Sequence, residues 1–222
     1  MTPESLGQEA LRNAAETFAS LVTAKVKVFR ELCAEKENTE VTGDFVEEML
    51  RGYINSWLAP MGIYPGSLVS PRHKRKLKQI DGLIWQPSFG PPVLREGNTL
   101  LLHPNTVRAI VELKTSVESV RHLHDRLSDL WEELKPTEHS ARDAMGIILF
   151  HNGNPETASN PHWRTVDGNR EPLHTRAVNA HPIYILFERR GQFDYEPYFP
   201  AIMELIFRLN NIANTPRVNT LL

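Results

Sequence analysis

The chain has 222 residues, 41% of them hydrophobic and 23% charged, which is enough to bury a globular core. Its net charge of −2 and pI near 6.5 exclude the uniformly basic surface of binding domains with pI above ~9, while leaving room for a local basic cluster. No apolar run approaches the ~18 residues that span a membrane. The one cysteine, Cys33, excludes an intramolecular disulfide framework and a cysteine-based zinc cluster. Met1-Thr2-Pro3-Glu4-Ser5 lacks the basic and apolar regions of a secretory signal, so a reducing cytoplasm is the expected home.

From about Gln8 to Glu35, Leu11, Ala14, Ala15, Phe18, Leu21, Val22, Val26, Phe29, Leu32 and Cys33 recur at three- and four-residue steps, which predicts an amphipathic helix. The polar stretch Lys36 to Glu40 reads as a loop. A second helix is expected from near Thr42 to about Leu58, with Val46, Met49, Leu50, Tyr53, Ile54 and Trp57 as its stripe and Pro60 to stop it. Ile63 to Val69 reads as a strand, Pro71 to Lys78 as a basic turn, Gln79 to Trp85 as a second strand, and Pro87 to Pro92 as a bend.

A third strand starts near Val107. The helix after it, from Val117 to about Leu134, carries Val120, Leu123, Leu127, Leu130, Trp131 and Leu134 on one side. Ala144 to Phe150 is a strongly apolar strand. Residues 151–181, rich in Asn, Pro, His and Arg, read as an irregular insertion whose length points to a functional or mobile segment. Ile183 to Phe187 reads as a further strand and Phe199 to Ile212 as a helix packed on the sheet.

Gln79-Ile80-Asp81-Gly82-Leu83-Ile84-Trp85 and Arg108-Ala109-Ile110-Val111-Glu112-Leu113-Lys114-Thr115-Ser116 carry ionisable groups inside apolar strands. Successive strand side chains alternate faces, so Glu112 and Lys114 point the same way, and Asp81 joins them if the strands pair. Burying such groups is costly unless they pair or bind a cation. A divalent-metal site with a lysine beside it is one reading, and a solvated strand end with opposite charges is the other. The run Arg72, His73, Lys74, Arg75, Lys76, Leu77, Lys78 is the densest basic cluster. It reads either as a contact for nucleic-acid phosphates or as an exposed charged hairpin. The nine histidines give no metal spacing: His122 and His124 do not share a helix face, and His151, His162, His174 and His181 are dispersed. No P-loop and no G-x-S-x-G motif is present, so neither ATP nor serine hydrolysis has support.

Asp81 followed by Glu112-Leu113-Lys114 resembles the D…ExK signature of the PD-(D/E)xK nuclease superfamily. Gly43-Asp44-Phe45-Val46-Glu47-Glu48-Met49-Leu50 resembles the acidic first helix of one branch. Gln79, Asp81, Val107, Ala109, Glu112, Lys114 and Ser116 match that branch's Q-x-D and V-x-A-x-x-E-x-K-x-S strands. The branch includes NucC-type DNA endonucleases of bacterial anti-phage immunity, activated by cyclic oligonucleotides. The resemblance covers roughly Thr42 to Phe150, with a weaker echo from Pro182 to Asn210, and departs in a longer basic turn and a longer N-terminal helix.

The resemblance implies an α/β (α+β), restriction-endonuclease-like fold with an α-β-β-β-α-β core: one nuclease domain over 1–222, divided into an N-terminal helix (1–40), the core (42–150), the insertion (151–181), and a C-terminal strand and helix (182–222). It implies Mg²⁺, with Mn²⁺ able to substitute, held by Asp81, Glu112 and the Leu113 carbonyl, at roughly 2.0–2.1 Å in an octahedral shell that keeps several waters. Two such ions would stand about 3.5–4 Å apart. Lys114 would orient or deprotonate a water. Glu47 is the expected helical acid, with Glu48 the competing alignment, although first-turn acids also simply favour the helix dipole. Gln79 and Ser116 would position DNA phosphate or water. The expected partners are double-stranded DNA, further copies of the chain, and either a cyclic oligonucleotide or a sensor protein, with no membrane. Arg164, Arg170, His174 and Arg176 would then belong to an activator lid, the alternative being a plain surface excursion. Two other functions stand beside this one: a nuclease subunit working for a sensor protein, and a non-catalytic nucleic-acid-binding module.

Overall fold

Strand alternation sorts the molecule into layers. In the computed structural model, which describes residues 3–33, 39–69, 79–117, 121–134, 143–151, 181–189 and 195–214, the chain runs α1 (Pro3–Cys33), α2 (Thr39–Leu58), β1 (Gly62–Leu68), β2 (Ile80–Trp85), β3 (Leu94–Glu96), β4 (Thr99–Leu102), β5 (Val107–Val117), α3 (Arg121–Leu134), β6 (Asp143–His151), β7 (Ile183–Arg189), β8 (Tyr195–Pro197) and α4 (Phe199–Asn214). The strands form one eight-stranded mixed sheet in the order β3-β4-β1-β2-β5-β6-β7-β8. β5 pairs parallel with β6 and antiparallel with β2.

On β5, Ala109, Val111 and Leu113 face one side and pack with Met145, Ile147 and Leu149 of β6. Three helices cover that side: α1 through Phe18 and Val22, α2 through Leu50 and Ile54, and α4 through Ile202, Leu205 and Leu209. Ile110 faces the other side, where Leu130 of α3 meets it with Leu83 and Ala144, while Leu123 and Leu127 pack on Ile148, Ile183 and Ile185. The central strands are therefore apolar on both faces, as strands between helix layers must be. The ionisable residues of β2 and β5 are interruptions of that rule.

Expected and observed elements agree in type, with differences that have local causes. Leu21, counted in the α1 stripe, is 45% exposed, because the buried line runs through Ala15, Phe18, Ala19, Val22 and Val26 and Leu21 lies off it. α2 starts at Thr39 within the expected loop. Between β2 and β5 the chain adds the hairpin β3–β4, turned at Gly97 and Asn98 with Gly97 at φ 57°. A two-residue Gly-Asn link is itself a hairpin signal, but strands this short leave no alternation to read. β8, three residues long, was likewise unmarked. The basic turn and most of the 151–181 insertion lie outside the described residues. No described helix is long and apolar enough to cross a membrane.

β1 approaches its neighbour closely at Gly66, where the β1–β2 register shifts. A Cβ there would lie 2.0 Å from the Leu100 carbonyl oxygen of β4, a backbone atom with nowhere to go. Gly52 on α2 has open space around its Cβ position. In chemical denaturation, Gly66→Ala is expected to lose about 2–3 kcal/mol through overpacking. Gly52→Ala is expected to gain about 0.5–1 kcal/mol by restricting the unfolded chain.

Candidate active site

The antiparallel ladder of β2 and β5 pairs Leu83 with Ile110 and Gly82 with Val111, and its next rung brings Asp81 beside Glu112. Two contacts fasten Asp81 there, both on Oδ2: the Leu113 backbone N–H donates to it at 3.0 Å, and so does Lys114 Nζ at 3.0 Å. Lys114 Nζ lies 3.8 Å from Glu112 Oε2. The lysine thus stands between the two carboxylates, on the strand face it shares with Glu112. Its side chain is 37% exposed and that of Asp81 15%, whereas that of Glu112 is 0% exposed. A solvated strand end does not bury its acid. That reading of the pair fails on the burial of Glu112.

Glu47 reaches the same cluster from α2. It stands within electrostatic range of Asp81 and Lys114, and its nearest cation is Arg51, 3.7 Å away. Glu48, 62% exposed, turns outward and takes Arg51 Nη2 at 2.9 Å. Of the two alignments left open by the sequence, the geometry brings Glu47 to the site.

Two arginines complete the cluster, and neither was anticipated. Arg126 of α3 donates from Nε to Glu112 Oε2 at 2.7 Å and from Nη2 to the Gln79 carbonyl at 2.7 Å. Arg51 of α2, itself buried, donates to the Asp81 carbonyl at 3.1 Å. A pattern signal existed: Arg126 sits three residues after Leu123 and four before Leu130, inside the buried stripe of its helix. Gln79 is exposed and meets the cluster through its carbonyl. Leu113 is fully buried. The backbone of Ser116 belongs to β5, while its side chain, with Arg72, Lys74, Arg75, Lys76 and Lys78, lies outside the described residues, as do Arg164, Arg170, His174 and Arg176.

Burial pushes the Glu112 carboxyl above the usual carboxylate range; the hydrogen bond from Arg126 opposes the rise and the charge of Asp81 adds to it. Burial also raises Glu47, followed by the charge of Asp81, with Lys114 and Arg51 pulling the other way. Glu112 Oε1 is buried and has no hydrogen-bond partner, and the same holds for Thr115 Oγ1 further along β5. An orphaned carboxylate oxygen at full burial is costly, and a cation is the partner that would satisfy it. Among the described residues no three Asp, Glu, His or Cys side chains close around an ion by themselves. Mg²⁺ does not require that, since one or two carboxylates and several waters suffice. The donor set fits a hard divalent ion of this kind.

No protein-family model and no curated protein matches the chain by sequence. Solved structures match it over nearly its whole length. NucC of E. coli MS115-1 in its cAAA-bound form aligns with TM-score 0.56 at 12% identity, covering 91% of this chain and 92% of that one. NucC of P. aeruginosa ATCC27853, also cAAA-bound, aligns with TM-score 0.58 at 11% identity over 94% and 92%. The apo form of the E. coli protein gives 0.51 at 11% identity over 86% and 89%. The chain shares the NucC fold. The resemblance read from the sequence is thereby met at the level of the fold, although so few positions are identical. At 91% and 94% of this chain, the two cAAA-bound alignments extend well beyond the stretch from Thr42 to Phe150.

The raised carboxyls give a stability signature with a definite sign. A folded-state pKa above 4.5 means that, between that value and the folded one, the folded state holds more protons than the unfolded state. Stability of the metal-free protein therefore falls as pH rises through this window and stays lowered above it. With EDTA at neutral pH, Glu112→Gln is expected to melt above the wild type, the gap closing as pH approaches 4.5. With Mn²⁺ the wild type should gain Tm and the variant should not. Differential scanning calorimetry across pH checks both.

Proposed function

We propose that this protein is a Mg²⁺-dependent endonuclease that hydrolyses phosphodiester bonds in double-stranded DNA, with Mn²⁺ able to replace Mg²⁺, and that it serves as an anti-phage defence or restriction-type effector. One observation carries the reading: Asp81, Glu112 and Lys114 converge on adjacent strands with one buried Glu112 oxygen unsatisfied, in the fold of NucC. Asp81, Glu112 and the Leu113 carbonyl would hold the ion. When bound, it polarises a phosphoryl oxygen and lowers the pKa of a coordinated water.

The remaining work falls to the chain. Lys114, held between the two carboxylates, orients the attacking water and, once its ammonium has released a proton to solvent, receives the water's proton as a free amine. Glu47 adds negative charge on the α2 side, which strengthens cation binding and orders water in the outer shell. Arg72, Lys74, Arg75, Lys76 and Lys78 precede Gln79 directly and contact DNA phosphates, with Gln79 and Ser116 nearer the scissile bond.

The same comparison supports a proposal for the activator. The E. coli and P. aeruginosa NucC structures were obtained with cAAA bound, so a cyclic oligonucleotide is the class of activator proposed, with the protein acting as a homo-oligomer. A groove of about 1140 Å³ between α1 and α4 includes Phe199 and Phe207. These are 37% and 53% exposed, in keeping with assembly. The same patch is the observation that favours the second reading, a nuclease subunit that works for a sensor protein.

Plasmid cleavage tests the proposal. Purified protein with Mg²⁺ and cAAA should nick and linearise supercoiled DNA, EDTA should stop it, and Lys114→Ala should lower the rate by roughly 10²–10⁴-fold, the contribution usual for a general base. Cutting that is unaffected by Lys114→Ala, or that persists in EDTA, would sink the mechanism. Cutting without any nucleotide would remove the activator while keeping the enzyme.

A further inference from the structure

We infer that Arg126 is a positioning residue that presents Glu112 to the metal, holding one carboxylate oxygen so that the other faces the ion. The inference rests on the metal-site reading above.

The Glu112 carboxylate divides its contacts unequally. Oε2 receives Arg126 Nε at 2.7 Å and has Lys114 Nζ at 3.8 Å, while Oε1 is buried with no hydrogen-bond partner. The guanidinium is fixed by a second bond, Nη2 to the Gln79 carbonyl at 2.7 Å, which ties α3 to the start of β2 just before Asp81. A free carboxylate rotates its plane readily, and one held on a single oxygen by a doubly bonded guanidinium is restricted in that rotation.

An arginine standing in for the ion would bridge Asp81 and Glu112. Here Lys114 is the cation that approaches both carboxylates, 3.0 Å from Asp81 Oδ2 and 3.8 Å from Glu112 Oε2, while Arg126 approaches Glu112 and also bonds a backbone carbonyl. Arg126 therefore acts as an outer partner of the ligand, the kind whose loss typically weakens metal affinity 10–100-fold. It is a partner of the carboxylate, not a competitor for it.

Calorimetric titration of the full chain with Mn²⁺, paralleled by the EPR signal of free Mn²⁺, tests this without reference to cleavage. Glu112→Gln serves as the reference and should abolish the site. Arg126→Met should bind 10–100-fold more weakly, with Arg126→Lys intermediate, because an ammonium keeps the charge but cannot hold Glu112 and Gln79 in one plane. Leu130→Val, buried on the same helix, should lower Tm without moving Mn²⁺ affinity, which separates positioning from helix packing. Mn²⁺ affinity in Arg126→Met equal to or tighter than the wild type's overturns the inference. If that variant does not fold, unchanged affinity in Arg126→Lys overturns it equally. Absence of Mn²⁺ binding to the wild type, or binding untouched by Glu112→Gln, would instead overturn the metal-site reading itself.

Discussion

The arrangement of the site depends on a carboxylate in a place where sheet packing calls for an apolar side chain. Glu112 lies in the middle of the eleven-residue β5 with no exposure, and moving such a group out of water costs several kcal/mol even after relaxation. The neighbouring geometry can be understood as the response to that cost. Lys114 follows two residues later because only the same strand face can reach it. Arg126 enters from α3 because that helix covers this face of the sheet, as the packing of Leu130 on Ile110 shows. Asp81 is brought alongside by the ladder and adds an acid where two cations already stand.

The start of β2 is held by the same network. The carbonyls of Gln79 and Asp81 accept from arginines that belong to helices on opposite faces of the sheet, Arg126 on α3 and Arg51 on α2. Each arginine also binds an acid, Glu112 in one case and Glu48 in the other. The two helices and the two strands are thus joined through charge-assisted side-chain bonds to backbone. Such a frame limits how far Asp81 and Glu112 can separate. A site whose own acids repel one another requires that limit from elsewhere in the fold.

The legible part of this site was the part governed by strand period. Glu112 and Lys114 share a face because they are two apart, and Asp81 joins them once its strand pairs with theirs. Those inferences need only local geometry, and they held. Glu47 was read only as one of two adjacent acids, although helix periodicity separates them: Glu47 lies three residues before Leu50 and seven before Ile54, beside the apolar stripe, while Glu48 lies on the opposite side of the helix. Arg51 and Arg126 were not read at all: each spans from a helix to a strand far away in sequence, and long side chains leave little trace of their targets in a pattern. What did mark Arg126 was its place within the Leu123–Leu130 stripe. The hairpin of β3 and β4 escaped for a different reason: three and four residues are too few for a repeated alternation to stand out.

Burial also bears on the choice between an enzyme and a module that merely keeps the fold. Replacing a buried ionic cluster with well-packed apolar residues is often neutral or stabilising. A binding module has no need of Glu112, and β5 could there read as apolar on both faces like its neighbour β6, whose residues Ala144 to Phe150 are all buried. This chain instead keeps an acid with one oxygen unsatisfied, a second acid raised by burial and by the charge of Asp81, and a lysine between the strand carboxylates. Departures from packing logic that cluster at one point and share one chemistry are where a fold gives up stability for function. The modest overall charge is consistent with that economy: the acids are opposed by Lys114, Arg51 and Arg126 within the site, so the electrostatics that matter are local.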